Sequence, residues 1–114
     1  MQLIETTLRE YLADSLPVPV YLSVPADHPD TYIVLERTRG GFSNRLPSAQ
    51  FAIQSYAPTM QEAAELNETM KIIMWGFVEL PEIGSARLEN DYNYTDTTKK
   101  GFRYQAVYDI VYGF

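Results

Sequence analysis

The chain contains no cysteine, one histidine and one tryptophan, and its 9 Lys and Arg are outnumbered by 15 Asp and Glu. Without cysteine there is no disulfide framework, no thiolate zinc site and no cysteine nucleophile, and either redox compartment would tolerate the chain. A formal net charge of −6 argues against a generic nucleic-acid coat, because phosphate binding is driven by Lys and Arg displacing counterions. Long apolar runs are missing too. The stretch from Ile72 to Val78 falls far short of the ~20 apolar residues of a membrane span. The first ten residues carry Glu5 and no sustained apolar segment, unlike a secretory signal. These features lead to the expectation of a protein that is soluble and intracellular when synthesised. There is no GxSxG, P-loop, GxGxxG or HExxH pattern, so no enzyme, cofactor or metal site is expected.

What the chain does have is length for one core and an excess of tyrosine. For 114 residues, scaling puts the folded surface at roughly 6,400 Å² against roughly 19,000 Å² unfolded, enough for a single domain spanning 1–114. Nine residues are tyrosine.

Hydrophobic spacing orders the elements. Ile4, Leu8, Tyr11 and Leu12 form one apolar stripe, predicting a helix over 2–16 that Pro17 and Pro19 stop. The proline-flanked run Val18 to Val24 reads as a short strand at a sheet margin. Thr31 to Arg39 is rich in β-branched and aromatic residues and predicts a strand. Gly40 to Pro47 reads as a long basic loop, and Ser48 to Tyr56 as the returning strand. Pro58 and Thr59 open a second helix, where Thr59 and Glu62 match a capping box. Ala63, Leu66, Met70, Ile73 and Phe77 line its buried stripe, and Glu79, Pro81 and Gly84 end it. Ala86 to Thr95 alternates, with Ala86, Leu88, Tyr92 and Tyr94 on one side, which Asn90 breaks, and Arg87, Glu89, Asp91 and Asn93 on the other; Phe102 to Tyr112 alternates still better. The expected architecture is α+β: about five strands in an antiparallel-dominated sheet, in the order α-β-β-β-α-β-β, packed against two helices.

Three groups of residues are candidates for function. His28, between Asp27 and Pro29, could act as a general base or share a metal with Asp27 and Asp30, but has neither a placed chemical partner nor a ligand spacing; a surface-loop histidine is the simpler reading. The segment from Arg37 to Arg45 is the one basic, Gly-rich cluster. Its three arginines and Phe42 could grip phosphates and stack on a base, or form a subunit contact. Tyr92, Tyr94, Tyr104, Tyr108 and Tyr112 gather on the last two strands, with an expected common apolar face. Tyrosine buries ring area while keeping its hydroxyl satisfied, which suits an interface. Arg37, Arg39, Phe42, Arg45, Tyr92, Tyr94 and Tyr112 are therefore the expected contact residues.

The order and spacing of these pieces carry a resemblance. An N-terminal helix before a Pro-rich edge, the pair of segments around Tyr32 and from Ala49 to Tyr56, the run SYAPTMQEAAELNETM from Ser55 to Met70 and the closing strand Arg103 to Tyr112 together resemble the tail-terminator and tail-completion proteins of long-tailed bacteriophages. The likeness covers nearly the whole chain and includes no catalytic motif. It implies a virion subunit, made in the host cytoplasm and carried by a phage or prophage. Such a subunit assembles into a ring, typically a homo-hexamer, that caps the tail-tube protein and presents a surface to the head connector protein. It implies no cofactor, reaction or membrane contact. A related neck or connector role is the alternative, and a nucleic-acid-binding module using the Arg37–Arg45 segment is a further one. Six copies at −6 would carry −36, and an acidic lumen would let DNA pass without specific binding.

Overall fold

The computed structural model describes residues 2–113. The fold is α+β: α1 (Ile4–Ser15), β1 (Val20–Tyr21), β2 (Tyr32–Ser43), β3 (Leu46–Ala57), α2 (Met60–Met74), a 3-10 turn (Phe77–Glu79), β4 (Ile83–Asn93) and β5 (Phe102–Tyr112). The strands form one sheet in the order β1-β2-β3-β5-β4. Only the short β1 runs parallel to its neighbour; every other pair is antiparallel. The accessible surface of 6764 Å² is slightly above the ~6,400 Å² expected from chain mass.

Both helices lie on one face of the sheet, α1 beside β1 and β2, and α2 over β3 and β5. The α1 stripe is as predicted: Ile4, Leu8 and Leu12 are buried, and Tyr11 reaches across to donate from its hydroxyl to the Ile73 carbonyl at 2.6 Å. In α2 the Thr59 hydroxyl accepts from the Glu62 amide at 3.2 Å, which satisfies an orphan donor of the first turn. Ala63, Leu66, Met70 and Met74 turn inward and Phe77 follows in the 3-10 turn. From the sheet, Ile33, Leu35, Phe51, Ile53, Ala106, Tyr108 and Ile110 close the core. The 3-10 turn packs beside β4, and α2 reaches that strand through Asn67 and Lys71 at Asp91, while Leu88 stays exposed.

Two predictions needed correction. The first is the basic loop at 40–47. It is strand: β2 and β3 stay paired from Tyr32↔Tyr56 to Ser43↔Leu46, and only Asn44 and Arg45 form the turn. Both have positive φ, 50° and 68°, the backbone signature of a type I′ hairpin turn whose twist matches the flanking strands. Pro47 is compatible with this ladder. The residues flanking a two-residue turn are a hydrogen-bonded pair, so the Pro47 nitrogen in the next pair points away from β2. On that side the last β5 rung is already Ser48↔Val111.

The second correction is the shared tyrosine face. A bulge between Leu88 and Asn90 shifts the β4–β5 register, so Leu88 pairs with Tyr108 while Tyr92 pairs with Gln105. One extra residue exchanges the two faces of a strand. Tyr92 and Tyr94 therefore lie on the sheet face away from the helices, whereas Tyr104, Tyr108 and Tyr112 lie on the helix face. Asp91, expected on the wet side, faces α2 instead and accepts from Asn67 at 2.7 Å.

Candidate assembly interface

The hairpin β2–β3 outruns the rest of the sheet. Beyond Ser48↔Val111 it has no strand partner on the β5 side, and β1 flanks β2 only at Ile33 and Val34. From Glu36 to Leu46 every residue is exposed. The segment from Arg37 to Ser48 contains three arginines and no acid. It is a basic arm on an acidic protein, and it contributes to a long axis of 42 Å against 24 and 23 Å across.

The three arginines are not equivalent. A bulge between Arg37 and Arg39 sends them to opposite faces. Arg37 turns toward α1, with a nitrogen 3.6 Å from a Glu5 oxygen, while Arg39 lies on the far face, 3.8 Å from Asp109. Gln50 donates to the same Asp109 at 3.0 Å and accepts from the Thr38 hydroxyl at 3.0 Å. Arg39, Ser43, Ser48, Gln50, Arg87 and Asp109 line a polar hollow of about 400 Å³ at the root of the arm. Arg45 pairs with no carboxylate among the described residues. Phe42, 79% exposed, gives the arm an apolar end on the helix face, and Leu46, which pairs with Ser43, lies on the opposite face.

On the sheet face that lacks helices, a row of tyrosines bridged by Arg103 of β5 crosses all five strands. Tyr21 packs near Tyr32 at 5.9 Å between ring centroids, and Tyr32 stacks on Tyr56 at 4.7 Å with planes 9° apart. Arg103 donates to the Tyr56 hydroxyl at 3.0 Å and lies over the Tyr94 ring at 4.4 Å; Tyr94 meets Tyr92 edge-on at 5.6 Å. Beneath the row, Gln54 donates to Gln105 at 2.8 Å, and Gln105 donates to the Tyr92 hydroxyl. These amides are only 6% and 8% exposed, although no layer covers them. The tyrosines and Arg103 exclude the water instead. Burial, followed by the nearby Tyr56 hydroxyl, raises the pKa of Tyr32 above its ordinary value.

Because Tyr32 and Tyr56 spend their flat faces on each other, they present edges outward. That arrangement suits a seal better than a platform for stacked bases. Tyr92 is tied into this seal, Tyr94 is its exposed end, and Tyr112 packs half-buried against the core on the other side. The expected contact residues thus divide: Arg37, Arg39, Phe42 and Arg45 belong to the arm, and the three tyrosines belong to two opposite faces. His28 is exposed, its ring 4.6 Å from Tyr32 and its Nδ1 2.8 Å from the Pro29 carbonyl oxygen. With Asp30, Tyr32, Tyr56 and Lys100 it borders a cleft of about 430 Å³, and no metal-competent group of three such side chains occurs among the described residues.

Sequence reasoning missed one surface. Trp75, the chain's only tryptophan, is 76% exposed at the end of α2. Ile72 at 55% and Val78 at 44% accompany it. A sequence signal existed: Ile72 and Trp75 lie outside the stripe defined by Ala63, Leu66, Met70 and Ile73, so two large apolar residues were left for the outer face.

No protein-family model matches the chain, and no curated protein sequence matches it.

Proposed function

We propose that this chain is a structural subunit of a bacteriophage tail, which assembles into a ring that terminates the tail tube and joins it to the head. The observation that carries the reading is the arm: a long basic hairpin with an apolar end, held away from the body of an acidic protein. Such a projection contributes little to its own core and is suited to reaching another chain. In this reading the copies form a homo-hexamer, its two ends contact the tail-tube protein and the head connector protein, and DNA passes through an acidic lumen without specific binding. The subunit acts in the virion after assembly in the host cytoplasm, with no cofactor and no chemical step.

Nucleic-acid recognition by the arm fits less well. Arg37 and Arg39 point to opposite faces, each beside an acid of the same chain, so the cluster offers no continuous track for a phosphate backbone. The test is a tail-assembly reaction with and without the protein. Termination predicts tubes of uncontrolled length that do not join heads when it is absent, and normal length when it is restored. A neck or connector role predicts tubes of normal length that fail to join. Normal, joined particles in its absence would overturn both.

A further inference from the structure

The arm's apolar end and the Trp75 surface are both left bare, and their surroundings are opposite in charge. Phe42 lies near the turn that holds Arg45, which pairs with no carboxylate among the described residues. Ile72 lies on the outer side of α2, which carries Glu62, Glu65 and Glu68 against the single Lys71, and Trp75 and Val78 continue the exposed surface past its end. Lys71 itself is taken up by Glu68 at 2.8 Å and by Asp91. Glu79, next to Val78 and exposed, adds a further acid to the rim. The two surfaces lie toward the same end of the sheet, since Ile83, just after the 3-10 turn, pairs with Tyr112 at the root of the arm. They leave from different layers, however: the arm from the sheet at β2–β3, the patch from the outer side of the helix layer at the end of α2.

We infer that the arm end of one copy seats on the Ile72–Trp75–Val78 patch of the next, with Phe42 against the indole and Arg45 against the acidic rim. The contact joins two different surfaces, so it is head-to-tail, the kind that closes into rings when the rotation permits. It rests on the ring reading above and names the residues of its subunit contact. A large aromatic anchor surrounded by complementary charge is the arrangement in which a few residues dominate an interface. Other occupants of the patch, such as the tail-tube protein, would leave the arm end without a role in self-association.

The single tryptophan makes the contact directly observable. In the wild-type chain, Trp75 emission should shift to the blue as concentration rises, in step with mass measured by light scattering. Two variants separate the halves. Phe42→Ser with Arg45→Glu removes the arm end and keeps Trp75; Ile72→Ser with Trp75→Ala removes the patch and keeps the arm. All four positions are exposed, and circular dichroism and melting should match the wild type. Each variant alone should associate at least about tenfold more weakly. Mixed in equal amounts, they should associate, and the blue shift should return. That emission comes only from the arm-deficient chain.

If the wild type assembles while Trp75 emission stays that of a solvent-exposed indole, or if the variants assemble as the wild type does, the contact is wrong and the ring remains. A wild type that stays monomeric at sub-millimolar concentration also overturns the contact. The tail reading is judged apart from this, by tube length and joining.

Discussion

Asn67 is 1% exposed inside α2, and its one hydrogen bond among the described residues reaches Asp91 on β4. Asp91 also receives Lys71, so this carboxylate joins helix to strand where no apolar layer does. Replacing Asp91 with Ala leaves the buried Asn67 amide without its acceptor, and should cost ~1–3 kcal/mol in urea unfolding. Glu89→Ala, on the exposed side, should stay within about 0.5 kcal/mol. The same corner limits stability in alkali. The hydrogen bond to Asp91 raises the pKa of Lys71, and burial pushes Tyr108 up to about 12. A raised pKa means that, between the unfolded and folded values, the folded state binds the proton that the unfolded state has lost. Stability is then complete below pH ~10 and falls as pH rises toward 12. Tyr108→Phe should remove up to ~2–3 kcal/mol of that fall, from two pKa units at 1.36 each, and change little at pH 7. Denaturant midpoints measured between pH 8 and 12 check both the sign and the size.

At the level of elements, the hairpin turn stands apart from the core. Arg45 holds φ at 68°, a left-handed conformation that costs a non-glycine residue ~1 kcal/mol and that Asn tolerates better. Arg45→Gly creates the favoured Asn-Gly pair, and should raise the melting temperature by roughly 4 °C while weakening self-association. Calorimetry paired with light scattering would show the two properties moving in opposite directions; a parallel change would contradict the separation of arm from fold. The reason the arm was illegible in the sequence is the same separation. Hydrophobic alternation records one buried face, and residues 36–46 bury neither, so Gly40, Gly41 and Pro47 read as loop. Only Asn44 hinted at the turn. Where a face is buried the spacing was readable: α1, α2 and β5 lie close to where Ile4–Leu12, Ala63–Phe77 and Phe102–Tyr112 placed them. The Leu88/Asn90 bulge left one trace, Asn90 breaking the apolar side, but exposed Glu89 and Asn90 leave the count of residues free to slip, so the exchange of faces was not readable. The arginine cluster was legible as basic and aromatic, its division between two faces was not.

Across the whole molecule, charge is sorted rather than mixed. The arm carries three arginines without an acid, so the rest of the chain holds 6 Lys and Arg against all 15 Asp and Glu, a net −9. Arg37 and Arg39 each have a carboxylate within their own chain, so reversing all three arginines would disturb the root of the arm as well as any contact. Arg45→Glu alone is the cleaner probe. Electrostatic attraction between an exposed basic end and an acidic rim chiefly accelerates encounter, whereas seated apolar side chains slow departure. Raising salt from 0.1 to 1 M shortens the screening length from about 10 Å to about 3 Å. Association of the wild type, followed by stopped-flow Trp75 fluorescence, should therefore slow by roughly tenfold over that range. The assembled mass should survive, since burial of Phe42 against Trp75 is not screened. Arg45→Glu should associate slowly even at 0.1 M and lose most of its salt dependence. Complete dissociation of the wild type at 1 M would mean that charge alone holds the copies together and that the apolar end of the arm faces something else.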